Sequence, residues 1–176
     1  AFEIGKKENG NPNKIFNTSR IIHLAFAALI VLVGEPLGEL YIINYLNVAS
    51  ESIPDAQFVF RLSIIAAAIN TIFVPNQGLL VAYEKFRATA LIDIISNLVK
   101  LGLILLFIYS DTNRIRLYSI IMLSYTVINS LAYYMYCKKY HNDVVACSLN
   151  KDRRMYKEMV SFSSWTLFGA FANVGK

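Results

Sequence analysis

Four stretches of this chain, at residues 21–46, 56–82, 88–109 and 116–137, are each long and apolar enough to cross a bilayer as one helix. The hydrocarbon core is ~30 Å thick, which takes ~20 apolar residues at a helical rise of ~1.5 Å. A fifth apolar stretch begins near residue 159 and runs toward Lys176. The runs at 64–69 and 101–109 carry no polar face of the kind a soluble bundle turns to water. Charged residues make up only 16% of the chain, against ~25% in soluble domains. The expected fold is therefore all-α, a polytopic transmembrane helix bundle.

The first apolar stretch lies behind some twenty mostly polar residues, so a signal peptide does not account for it. A start at Ala1 and a finish inside an apolar segment are what a piece of a longer protein shows. Cys137 and Cys147 fit no C-x-x-C spacing, and His23 and His141 lie in different segments, so neither a metal site nor a disulfide is expected. No nucleophile stands beside a base, and no glycine-rich phosphate loop precedes a helix. Neither an enzyme nor a bound cofactor is expected.

The net charge of +5 follows topology rather than a nucleic-acid surface. Twelve Lys and Arg residues fall in the segments before residue 21, at 83–87 and at 138–158, whereas the opposite side has only Arg114 and Arg116. The positive-inside rule makes the three basic segments cytoplasmic and puts the 47–57 loop, with Glu51 and Asp55, outside. Tyr133, Tyr134, Tyr136 and Tyr140 then stand where an inner aromatic belt belongs. Asn17, Thr18 and Ser19 offer N-caps for the first helix, and Pro54 suits the first turn of the second. Asp111 and Asn113 mark the outer turn before the fourth helix, and Asp152 offers a cap for the last. The organisation is a cytoplasmic segment 1–16, four spans over 17–140, a cytoplasmic loop 141–158, and the start of a further span at 159–176.

Ionisable groups at bilayer depth cost roughly 2.5–3.5 kcal/mol each on insertion scales, which marks them as functional candidates. On the first helix Glu35 and Glu39 share a face, with Pro36 between them to kink the chain at Leu32. Gly34 and Gly38 form a G-x-x-x-G for close helix approach. Ser63, Asn70, Gln77 and Glu84 recur every seven residues on the second helix, which also carries Arg61. Its Pro75-Asn76-Gln77-Gly78 sequence is expected to loosen it and free carbonyls toward a cavity. On the third helix Thr89, Asp93, Ser96, Asn97 and Lys100 form one continuous polar face. Such a face either glues helices together or lines a watery cavity, and an Asp with a Lys favours the cavity.

The run Phe16-Asn17-Thr18-Ser19-Arg20-Ile21-Ile22-His23, followed by a Gly-Glu-Pro-Leu-Gly helix, resembles the polysaccharide (oligosaccharide-lipid) flippases of the multidrug/oligosaccharidyl-lipid/polysaccharide exporter superfamily. Ala82-Tyr83-Glu84-Lys85, Asn97-Leu98-Val99-Lys100-Leu101 and the stretch from Phe162 to Gly169 extend the resemblance in the family's order. It implies that residues 17–140 are the third to sixth of twelve or more spans, part of one six-helix lobe, with the seventh opening the second lobe. It also implies alternating-access transport of undecaprenyl-pyrophosphate-linked sugars, such as O-antigen or capsule units, across the bacterial inner membrane.

Under that resemblance, Lys100 and Arg61 would attract the pyrophosphate, Glu35 and Asp93 would balance them or couple to an ion or proton, and Asn97 and Gln77 would line the cavity. Glu35, at similar depth, is the expected resting partner of Lys100, and Glu39 is expected to meet Arg61. The alternatives are a cation-coupled multidrug exporter of the same superfamily and a non-transporting membrane scaffold.

The orientation can be checked by thiol labelling of the full-length protein. Cysteines at Ser52 or Thr112 should react with an impermeant reagent added outside, whereas a cysteine at Asn9 and native Cys147 should stay unlabelled. The reverse pattern overturns the orientation.

Overall fold

The computed structural model describes residues 10–106, 113–148 and 152–174, all of whose regular structure is helical. Asn9, Asp111 and Thr112 lie outside the described residues, as do the side chains at 162, 163 and 166–169 of the last family-like motif. The first span comprises α1 (Pro12–Leu29), a widened π turn (Ile30–Gly34) and α2 (Glu35–Asn44). After a single 3-10 turn come α3 (Ile53–Ala82), α4 (Phe86–Leu106) and α5 (Arg114–Tyr140). A short α6 (Asn142–Val145) and α7 (Arg153–Val174) complete the order.

Four helices, Pro12–Asn44, Ser50–Ala82, Phe86–Leu105 and Arg114–Tyr140, meet the length and apolarity of a membrane span. Their most apolar windows are only 6–17% buried within the chain. A soluble bundle would hide those windows, so their apolar faces are made for lipid or for further protein, and the chain is a multi-pass membrane protein.

The spans form a layer rather than a ring. α3 and α5 pack together most extensively; α1 and α2 lie against α3, and α4 lies mainly against α5. The main core sits at the end carrying the basic loops, where Phe16, Leu79, Leu80, Tyr133, Cys137, Val144 and Val145 are buried together. At the far end, α3 and α5 are clasped by Asp55, which accepts hydrogen bonds from the Asn113 amide and from Arg116 Nε at 2.6 Å. Asn113 also caps α5, its side chain accepting from the backbone of Ile115 and Arg116.

Several local expectations are corrected. The first helix starts at Pro12, not at Asn17–Ser19, because Asn11 accepts from the Lys14 backbone at 2.9 Å and Pro12 suits the first turn. Asn17 and Thr18 are instead buried side chains of the helix body. Pro36 does act on its helix, and the disturbance is taken up by the π turn immediately before it. Pro75 does not open α3, which stays helical from Ile53 to Ala82. There Asn76, itself buried, accepts at its carbonyl from the Cys137 thiol at 3.4 Å, so the helix turns this carbonyl to a neighbour and not to a cavity. Tyr133 leaves the aromatic belt for the interior, whereas Tyr140 remains exposed.

Gly38 lets α2 approach α3 closely. A Cβ there would fall within the Phe60 ring, and one at Gly34 would stand 3.1 Å from Ile64 Cδ1. The G-x-x-x-G thus faces the neighbouring span, as its small residues imply.

Glu84, expected to continue the stripe of α3, lies beyond the helix in a left-handed conformation with φ 56°. Lys85 N–H bonds the Leu80 carbonyl at 2.8 Å and Glu84 N–H bonds Val81 at 3.0 Å, the pairing of a Schellman cap. Glycine is the favoured residue there, since a side chain costs about 1 kcal/mol in this conformation. Glu84→Gly should therefore raise stability by about 1 kcal/mol, read as a higher unfolding midpoint of the full-length protein in detergent. An unchanged or lower midpoint would mean that the Glu84 side chain contributes something the cap geometry omits.

Candidate functional site

Three polar groupings occur along the layer, and each is built by the helix faces that bring its members together. The one nearest the Asp55 end lies between α2 and α3. Arg61 donates to Glu39 Oε1 through both Nε, at 2.8 Å, and Nη2, while Glu35 Oε1 lies 3.9 Å from Arg61 Nε. The expected Glu39–Arg61 contact is present. Glu35 and Glu39 reach one guanidinium because they are one helical turn apart, and close packing at Gly38 draws α2 onto α3. Two carboxylates face one cation, so the group carries an excess negative charge, and all three side chains are 30–54% exposed.

The second grouping joins α4 to α5. The Tyr133 hydroxyl donates to Asp93 Oδ1 at 2.8 Å, Ser96 is buried, and Lys100 places its ammonium 5.0 Å from the centroid of the Tyr125 ring. The stripe on α4 therefore splits. Asp93, Ser96 and Lys100 are turned in, whereas Asn97 is exposed and bonds back to the Asp93 carbonyl at 2.8 Å. Leu91, Ile95 and Leu98 are 59–62% exposed on the opposite face, as lipid-facing residues should be. Lys100 and Glu35 do not pair. α4 and α2 stand at opposite edges of the layer, with α3 and α5 between them, so equal depth does not bring the two charges together.

Between α3 and α5 lies a cleft of about 360 Å³, lined by Ala66, Ala67, Asn70, Tyr125, Thr126 and Asn129. Asn70 is ~25 Å from the start of α3 at Ile53, counted at ~1.5 Å per residue, which is near the middle of that span. Gln77, two turns further along α3, is half-buried. Asn129 Oδ1 is buried with no hydrogen-bond partner. Asn70 belongs to the seven-residue stripe expected on α3, whereas Tyr125, Thr126 and Asn129 are not among the expected site residues. Their signal was present, since residues 125, 126 and 129 share one face of α5, but that span also carries several other serines and tyrosines.

A third grouping closes the basic end. Asn13 Nδ2 lies within 3.0 Å of the carbonyls of Asp143, Val144 and Ala146, and Asn17 Nδ2 donates to Ala146 at 2.9 Å. Arg20 donates to Cys147 Sγ at 3.0 Å, and Lys14 Nζ pairs with Asp152 Oδ2 at 3.0 Å. The hydrogen bond from Lys14 holds the Asp152 carboxyl below its ordinary range. Asp152 also accepts from the Arg154 backbone at 3.1 Å, the cap expected for the last helix. These contacts latch residues 143–147 and Asp152 onto the first span.

No group of three or more metal-ligating side chains occurs among the described residues. The chain matches no protein-family model, no curated protein and no solved structure.

The Glu39–Arg61 pair gives a direct test of the outer grouping. Arg61→Gln leaves two carboxylates facing each other at membrane depth and should lower the unfolding midpoint of the full-length protein clearly. Adding Glu39→Gln should restore most of the loss. Equal midpoints for Arg61→Gln and the double variant would show that the two side chains are not energetically coupled.

Proposed function

We propose that this chain is part of a transporter that carries a lipid-linked oligosaccharide across the bacterial inner membrane by alternating access, with the basic loops cytoplasmic. The reading follows the family resemblance, and one observation in the fold carries it. Lys100 is a half-buried cation at mid-span, ~20 Å from the inner end of α4. Its described contact is an aromatic ring, and no carboxylate among the described residues lies within ion-pair distance of it. Arg61, the other candidate, already holds Glu39 and Glu35.

An amphiphile with a sugar-pyrophosphate head needs a polar, partly cationic path, because neither sugar nor phosphate crosses hydrocarbon unaided. A cation over an aromatic face is held by ~0.5–2 kcal/mol. Charge-assisted hydrogen bonds to phosphate oxygens are stronger, so an arriving pyrophosphate can take the ammonium from Tyr125 and return it on leaving. Reversible capture of that kind suits a carrier, which must release what it binds. Asp93 would hold the α4–α5 joint through Tyr133, and Glu35 with Glu39 would line the outer exit. The excess negative charge of that last group favours a second reading, a cation-coupled exporter.

Glycan export by cells carrying the full-length protein separates these. Lys100→Gln should reduce export at least tenfold at normal abundance, and Leu98→Ala, on the exposed face, should be mild. Normal export with Lys100→Gln would overturn the flippase reading.

A further inference from the structure

We infer that the cleft between α3 and α5 is a subsite for one neutral pyranose ring, the sugar joined to the pyrophosphate of the transported lipid. The inference rests on the flippase reading and adds where the sugar sits. At about 360 Å³, the cleft is near the lower end of the ~300–1,000 Å³ typical of small-molecule sites, enough for one ring and its substituents. Its lining residues are polar without being charged, Asn70, Tyr125, Thr126 and Asn129, with Ala66 and Ala67 leaving space between them. A bare cation would find no carboxylate in that lining, and an anionic sugar no base.

A pyranose meets it group for group. Its hydroxyls donate and accept, and each carboxamide does both. Asn129 lines the cleft across from Asn70, so two carboxamides of opposite helices border the same space. Thr126 Oγ1 donates to the Met122 carbonyl at 3.0 Å, which leaves its oxygen free to accept. Position matters as much as chemistry. In a glycosyl pyrophosphate the anomeric carbon is bonded through one oxygen to phosphorus, so the sugar subsite must adjoin the pyrophosphate subsite. Tyr125 is common to both: it lines the cleft, and its ring carries the Lys100 ammonium at 5.0 Å.

The test compares two lipids on the purified full-length protein: farnesyl pyrophosphate, and the same lipid bearing one glucose. The wild type should bind the glucosyl lipid at least tenfold tighter. Asn129→Leu and Thr126→Val should lose that preference while binding the bare lipid as before. Asn70→Leu, at an exposed position where folding is not at stake, should lose it too. Lys100→Gln should weaken both lipids by the same factor.

A wild type without preference, or a preference that survives all three cleft variants, overturns the sugar subsite. The pyrophosphate reading then still stands if Lys100→Gln weakens both lipids. Binding of neither lipid by the wild type overturns both. In a Cys147→Ser background, Asn70→Cys should react with a small thiol reagent and be protected by the glucosyl lipid. A thiol that never reacts would mean that another helix fills the cleft, and would also overturn the subsite.

Discussion

Polar groups at membrane depth have no water to turn to, and the arrangement of the spans follows from where those groups find partners. Glu39 and Arg61 tie α2 to α3 and Asp93 and Tyr133 tie α4 to α5, while at the ends of the spans Asp55 ties α3 to α5 through Arg116. None is strong by itself, since interhelical hydrogen bonds contribute only ~0.6–2 kcal/mol. Together they select one register for each pair of helices, because sliding by a turn would leave a charge facing hydrocarbon.

The same constraint explains the uneven packing. At the basic end the helices close over a buried core, and the backbone carbonyls of the 143–146 segment are satisfied by Asn13 and Asn17. Toward the middle, α3 and α5 hold apart around Asn70 and Asn129, where the side chains are polar and the neighbours small. The result is a tight end and a polar opening at mid-membrane depth.

Lys100 and Arg61 show how far context changes a residue's role. Both are basic, both lie in apolar spans, and residue type alone offers them equally as anion-attracting groups. In the fold, Arg61 stands between two carboxylates and acts as a fastener, whereas Lys100 stands on an aromatic ring. Asn17 and Thr18 changed role in the same way. Helix-capping residues by type, they are buried latch and packing residues by position, because Asn11 and Pro12 start the helix earlier.

The amino-acid sequence by itself determined the helices and their number as candidate spans, because a ~30 Å apolar barrier admits only long apolar helices of this kind and they are read directly from residue runs. It also determined the cap at Asp152 and the Glu39–Arg61 contact, since local spacing and depth along adjacent spans suffice for those. Only the tertiary structure decided which face of each helix meets which neighbour. Depth is a one-dimensional quantity, and it put Lys100 level with Glu35 without saying that α3 and α5 stand between them. The cleft was likewise out of reach, because its lining combines Asn70 of α3 with Tyr125, Thr126 and Asn129 of α5. A site made by two helices exists only once their rotation and separation are set, and those depend on packing across the interface rather than on either segment alone.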